Sequence, residues 1–119
     1  MTDRELLELA AKAAGYNLVW GDVYIVDGQN IDCTDLPYVR SNQKDEADWY
    51  WNPLENDGDA MRLLITLCFS VIQYTYSVEI MIGNELIHRE LSDGTMTRIE
   101  LTRLAIVRAA AIQLSKEGK

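Results

Sequence analysis

Ile72-Gln73-Tyr74-Thr75-Tyr76-Ser77-Val78-Glu79-Ile80-Met81-Ile82 runs into Gly83-Asn84 and continues as Glu85-Leu86-Ile87-His88-Arg89-Glu90-Leu91. Ile72, Tyr74, Tyr76, Val78, Ile80 and Ile82 share one parity, and Gln73, Thr75, Ser77 and Glu79 hold the other. That is the period-2 pattern of a strand with one buried face. Gly83-Asn84 fits a two-residue hairpin turn, which sets Ile80 opposite Ile87 and Glu79 opposite His88 as the chain returns. The parity does not break at Tyr76, so the first arm reads as one long bent strand or as two shorter ones. Either way, this stretch puts antiparallel sheet in the second half of the chain.

Helices flank it on both sides. Downstream, Thr97 and Glu100 form a capping box opening a helix to about Lys116, with Leu104, Val107, Ala111 and Leu114 on its main face. Ile99, Ile106 and Ile112 extend its apolar character, so deep packing is expected. Upstream, a helix begins near Asp57, whose side chain can accept from the first-turn amides, while Asp59 complements the helix dipole. Met61, Leu64, Ile65 and Cys68 follow i, i+3, i+4, i+7 and are expected to face the core. At the N-terminus, Thr2 and Glu5 form another capping box, and Leu6, Leu9, Ala10 and Ala13 recur at helical spacing before Gly15 closes the helix.

Between the first two helices, Leu18-Val19-Trp20 and Val23 to Val26 read as short strands, the second ended by the turn-forming Asp27-Gly28-Gln29-Asn30. No period is sustained from Ile31 to Asp48, so residues 27–56 read as one long acidic surface loop. The expectation is a single globular domain over residues 1–119. Its class is α+β, with three helices packed on a small, mainly antiparallel sheet.

A chain of 119 residues can bury roughly two thirds of its unfolded surface as one domain. No apolar run reaches the roughly 18–20 residues of a membrane helix. The polar start Met1-Thr2-Asp3-Arg4-Glu5 lacks the form of a secretory signal, and a cytoplasmic protein is expected, a monomer or small homo-oligomer. Cys33 and Cys68 have no CxxC spacing and only one histidine to join them, so the reading is two free thiols without zinc or any cofactor, Cys68 being a core residue. Charge is the most informative feature. Residues 21–59 hold ten acids against Arg40 and Lys44, a local −8 equal to the net charge of the whole chain. Direct nucleic-acid binding is disfavoured, since that affinity comes from Lys and Arg neutralising phosphates.

Three segments carry a resemblance: Glu5 to Gly15 (ELLELAAKAAG), Trp51 to Ala60 (WNPLENDGDA) and Ala105 to Ala111 (AIVRAAA). They resemble a group of small, uncharacterised bacteriophage and prophage proteins, similar in layout to the phage alpha-beta-alpha sandwich domains. The resemblance spans about a quarter of the chain and implies a phage accessory protein in a host bacterial cell. It implies no catalytic residue.

Asp57-Gly58-Asp59 with Glu55 lacks the spacing of a calcium loop and reads as an acidic helix start. His88 with Glu79 and Glu90 could form an acid/base pair, but a cross-strand ion pair on a solvated hairpin face explains them more simply. With no phosphate loop and no activated thiol, no catalytic residue and no metal site is assigned. Trp49, Tyr50 and Trp51 follow Asp45, Glu46 and Asp48 and precede Glu55, Asp57 and Asp59. Trp49 and Tyr50 cannot both point the same way in an extended segment, so at least one is expected on the surface, whereas Trp51 with Leu54 can form a staple anchoring the entry to the second helix. Aromatic anchors ringed by charge suit a binding surface, and the expected partner is a host protein with a basic surface. The alternative is a small-ligand protein that sequesters a nucleotide signal, with Trp20, Trp49 and Trp51 stacking on the base and Arg62 or a second subunit supplying positive charge.

Overall fold

A computed structural model describes residues 2–21, 23–32, 36–40 and 49–117. In chain order the elements are α1 (Asp3–Ala13), β1 (Leu18–Trp20), β2 (Val23–Val26), β3 (Gln29–Asp32), β4 (Pro37–Val39), β5 (Trp49–Tyr50), α2 (Asp57–Thr66), β6 (Ser70–Gln73), β7 (Ser77–Ile82), β8 (Glu85–Leu91) and α3 (Arg98–Glu117). The class is α+β, with every strand pair antiparallel among the described residues. One sheet has the order β1-β4-β5, another the order β6-β7-β8, and β2 and β3 form a separate ribbon. Among the described residues no helix is long and apolar enough to cross a membrane.

The capping chemistry read from the sequence closes α1 and α3. The Glu5 amide donates to Thr2 Oγ1 at 3.2 Å. At α3 the exchange is reciprocal: the Thr97 amide donates to Glu100 Oε1 and the Glu100 amide to Thr97 Oγ1, each at 3.1 Å. For α2 the cap lies one residue earlier than expected. Asn56, not Asp57, accepts from the Asp59 amide, at 2.9 Å.

Both α1 and α2 end in the same motif, in which two amides past the helix return to its last carbonyls. After α1, Tyr16 N donates to Ala11 O at 2.8 Å and Gly15 N to Lys12 O at 3.1 Å. After α2, Phe69 N donates to Leu64 O at 3.0 Å and Cys68 N to Ile65 O at 3.1 Å. The motif needs a left-handed residue, Gly15 at φ +79° in one case and Cys68 at φ +59° in the other. Cys68 is therefore exposed at a helix stop and not in the core as expected. A Cβ strains this conformation, so Cys68→Gly should raise stability, by about 0.5–1 kcal/mol after the extra entropy glycine loses on folding. Urea denaturation at unchanged slope would measure it, and a loss of stability would contradict the reading.

The segment 27–56 is not one loop. Asp27 and Gly28 both take positive φ, the geometry of a two-residue hairpin turn that pairs β2 with β3. β4 and β5 add two more short strands within the same span. Short polar strands such as Gln29–Asp32 carry no hydrophobic alternation, and their pairing comes from the turn.

The 72–91 stretch folds as two hairpins. Tyr74 to Tyr76 make the connection between β6 and β7, closed by Tyr74 N donating to Ser77 O at 2.8 Å. Across Gly83-Asn84, Ile82 pairs with Glu85 and Met81 with Leu86, but a bulge then shifts the register, so that Ile80 faces His88 and Glu79 faces Arg89. This corrects the expected pairing of Ile80 with Ile87 and Glu79 with His88. The extra residue is Ile87, and it turns Ile87, His88 and Glu90 to one side of the sheet while Leu86, Arg89 and Leu91 share the other. Val78, Ile80 and Ile87 are buried on the side that α3 covers, and α1 and α2 pack on α3 in turn. Ala10 and Ala11 of α1 and Ala105, Ala109 and Ala110 of α3 are fully buried, small enough to let the helices approach closely.

α2 presents a different face from the one expected. Ala60 and Leu63 are buried, whereas Met61 and Ile65 are 55% and 64% exposed and Leu64 is half-buried. With Ala60, Met61, Leu63, Leu64, Ile65 and Leu67 apolar, periodicity alone could not choose the face. On α3, Ile99 is likewise exposed while Leu101, Ala105, Ile106 and Val107 form the buried side.

Candidate functional site

The connection from Trp51 to α2 is held by its own polar groups. Asn52 Oδ1 accepts from the Leu54 amide at 3.1 Å, and the Asn52 carbonyl accepts from Asn56 at 2.8 Å. The Asn52 amide donates to Asp59 Oδ2 at 2.9 Å, and Asp59 Oδ1 also takes Arg62 Nη1 at 3.1 Å. Asp59 is 4% exposed. A Cβ on Gly58 would stand 3.2 Å from Asn56 Oδ1 and 3.4 Å from Arg62 Nη1, which explains glycine at that position. The sequence places Asp59 among the partner-binding acids. It instead clamps the start of α2 onto the preceding turn.

Next to this clamp lies a layer of rings. Trp51 is 1% exposed and belongs to the core, a correction to its place among the binding residues. Its ring meets Tyr16 edge-on at 5.6 Å, and Tyr16 also meets Trp49 edge-on at 6.2 Å. Tyr50 stands edge-on to Tyr38 at 5.9 Å. Trp49 and Tyr50 remain 42% and 40% exposed on β5, which lies at the edge of its sheet. Glu55 and Asp57 are exposed nearby in sequence, Asp57 carrying an ion pair to Arg103 Nη1 at 2.7 Å. Asp45, Glu46 and Asp48 lie outside the described residues. Of the expected surface, the structure brings out Trp49, Tyr50, Glu55 and Asp57 and turns Trp51 and Asp59 inward.

The carboxylates of the second sheet are not a solvated ion pair with His88. Glu79 is buried and takes Arg89, whose Nε donates to Oε2 at 2.8 Å, and the Tyr74 hydroxyl at 3.2 Å. The Arg89 guanidinium holds the Glu79 carboxyl below its ordinary value, and donation to Glu79 pushes the Tyr74 hydroxyl up. On the other side of the sheet, Glu90 joins His88 Nε2 at 2.8 Å and Arg108 Nη1 at 2.6 Å. His88 and Arg108 line a cavity of about 290 Å³ with Leu6 and Ile112. The His88–Glu90 pair follows from strand spacing, and the bulge at Ile87 turns it toward α3 and Arg108, which the sequence does not foretell.

A groove of about 310 Å³ runs between α2, β6 and α3. A third cavity, of about 320 Å³, lies between Asp3, Asn52 and Arg108. None of the three is lined by Trp20, Trp49 or Trp51. Trp20 is instead held by Nε1 donating to Glu8 at 3.0 Å, with Arg4 4.3 Å from the centre of its ring. Sequence reasoning missed the groove, although Arg98, Ile99, Thr102, Arg103 and Ile106 follow one helical face at i, i+1, i+4, i+5 and i+8. Comparison with known protein families, with curated proteins and with solved structures finds no match to this chain.

Proposed function

We propose that this chain is a non-enzymatic binding protein that captures a protein partner through the ring layer at β5 and the carboxylates adjacent to it in sequence. The observation that carries this reading is the pair Trp49 and Tyr50. Successive strand residues point to opposite faces, yet both rings stay about two fifths exposed, and each is braced edge-on by a tyrosine. A braced aromatic loses little rotamer freedom when a partner covers it, and large rings of this kind dominate binding energy. The local charge of −8 over residues 21–59 favours a basic partner and speeds encounter with it. The resemblance to phage and prophage proteins supports a host protein as that partner, inhibited or redirected in the manner of an anti-defence factor. The nucleotide-sequestering alternative has less support, since Trp51 is in the core and Trp20 is engaged with Glu8 and Arg4.

Capture from host extract, followed by affinity measurement on the recovered partner, tests the reading. Trp49→Ala should weaken binding by about 2 kcal/mol, roughly thirtyfold, with little change in melting temperature. Replacing Asp45, Glu46 and Asp48 by Asn, Gln and Asn should slow association and flatten its salt dependence. Wild-type affinity in both variants at low salt would remove the binding role from this surface.

A further inference from the structure

The groove between α2, β6 and α3 has an aliphatic floor of Ala60, Leu64, Val71 and Ile106. Met61 and Ile99 stand at its rim, 55% and 57% exposed, where water covers apolar surface that a ligand could cover instead. Its charge runs against that of the chain. Arg98 and Arg103 line it with Asp57 as the single carboxylate among the lining residues, so it is net positive in a protein of net charge −8.

Arg103 is the informative residue. Its side chain is 18% exposed, its Nη1 is shared with Asp57, and its Nε is buried with no acceptor among the described residues. Buried donors are nearly always paired, so an orphan on an arginine that lines a groove points to an acceptor supplied from outside. Asp57, on the same arginine, is 71% exposed and free to swing toward solvent. Arg98 is positioned alongside by Nη1 donating to the Tyr74 carbonyl at 3.1 Å.

We propose that this groove binds a small aliphatic carboxylate, its chain laid over the floor between Met61 and Ile99 and its head group on Arg103 and Arg98. A guanidinium matches the planar geometry of a carboxylate. The lining includes no aromatic ring on which a nucleobase could stack, and two arginines, one of them already paired with Asp57, poorly match a polyphosphate. A volume near the lower end of small-molecule sites, roughly 300–1,000 Å³, selects a short chain over a long lipid. The site is separate from the rings of β5, and its test succeeds or fails independently of the partner-binding reading.

Methyl NMR titration of the full chain with octanoate, octan-1-ol and octylammonium at neutral pH provides the test. Octanoate should give saturable shifts at the Met61 and Ile99 methyls, and the two other probes should bind about tenfold more weakly or worse, as the loss of a charged hydrogen bond implies. Arg103→Gln should weaken octanoate by a similar factor. Asp57→Asn should tighten it, by about threefold or more, because Arg103 is then unshared; no loss of folding produces such a gain. The proposal is overturned if millimolar octanoate leaves those methyls unmoved, if the alcohol or the amine binds equally well, or if Asp57→Asn fails to tighten binding. Should Arg103→Gln not fold, the probe series and Asp57→Asn decide alone.

Discussion

Trp51→Ala should lower the free energy of unfolding by about 3–5 kcal/mol, the cost of removing a large buried ring and leaving a cavity. In a domain whose total stability is roughly 5–15 kcal/mol, that brings the protein close to unfolding at room temperature. The expectation rests on position as much as on size. Trp51 is 1% exposed, packs edge-on against Tyr16 just past α1, and donates its amide to the Pro37 carbonyl of β4 at 3.1 Å. It thus ties the first sheet to the end of α1 and the approach to α2. Its indole Nε1 is buried without an acceptor among the described residues, so Trp51→Phe should cost clearly less than Trp51→Ala. Urea denaturation of both variants would check this, and a loss under about 1 kcal/mol for Trp51→Ala would place the ring on the binding surface instead.

The second large effect belongs to Asp59. Were it only an acid complementing the α2 dipole, its removal would cost about 0.3–1 kcal/mol. As a buried acceptor for the Asn52 amide and for Arg62, its truncation to alanine should cost roughly 2–3 kcal/mol, because the Asn52 N–H is then left unpaired out of water. The two accounts differ enough for one denaturation experiment to separate them. A cost below about 1 kcal/mol would show that solvent reaches the Asn52 amide when the carboxylate is gone.

These two residues also show what the most distinctive segment of the resemblance does. In Trp51 to Ala60, the tryptophan fills the core, Asn52 organises the turn, Asn56 caps α2, Gly58 leaves room for that cap, and Asp59 clamps the turn. The segment builds a helix entry. The proposed partner surface lies with its neighbours, Trp49 and Tyr50.

The helices were legible because capping is local chemistry: Thr2 with Glu5 and Thr97 with Glu100 lie three residues apart and need no tertiary information. The strands β3, β4 and β5 were not, since two to four polar or mixed residues show no period. The buried face of α2 was hidden for the opposite reason, an excess of apolar positions, with small Ala60 turned inward and large Met61 outward. Of the candidate site, exposure of at least one of Trp49 and Tyr50 followed from strand geometry. The pairing of Glu79 with Arg89 and of Glu90 with Arg108 did not, because a single bulge shifted the register by one residue.

That bulge gives β8 two reading frames. From Glu85 to Leu86 the strand obeys the phase set by the hairpin turn, and from His88 onward it obeys the opposite one. Were residue 87 to pair in the hairpin's own register instead of bulging, every side chain beyond it would change sides, moving Arg89 toward α3 and Glu90 toward solvent, whereas removing that residue would leave each later pair and its side as they are. Substitutions in β8 are therefore local edits, whereas a slip that absorbs the bulge rewrites the surface. What the extra residue supplies is a second inward side chain, Ile87 beside His88, on the face that α3 covers.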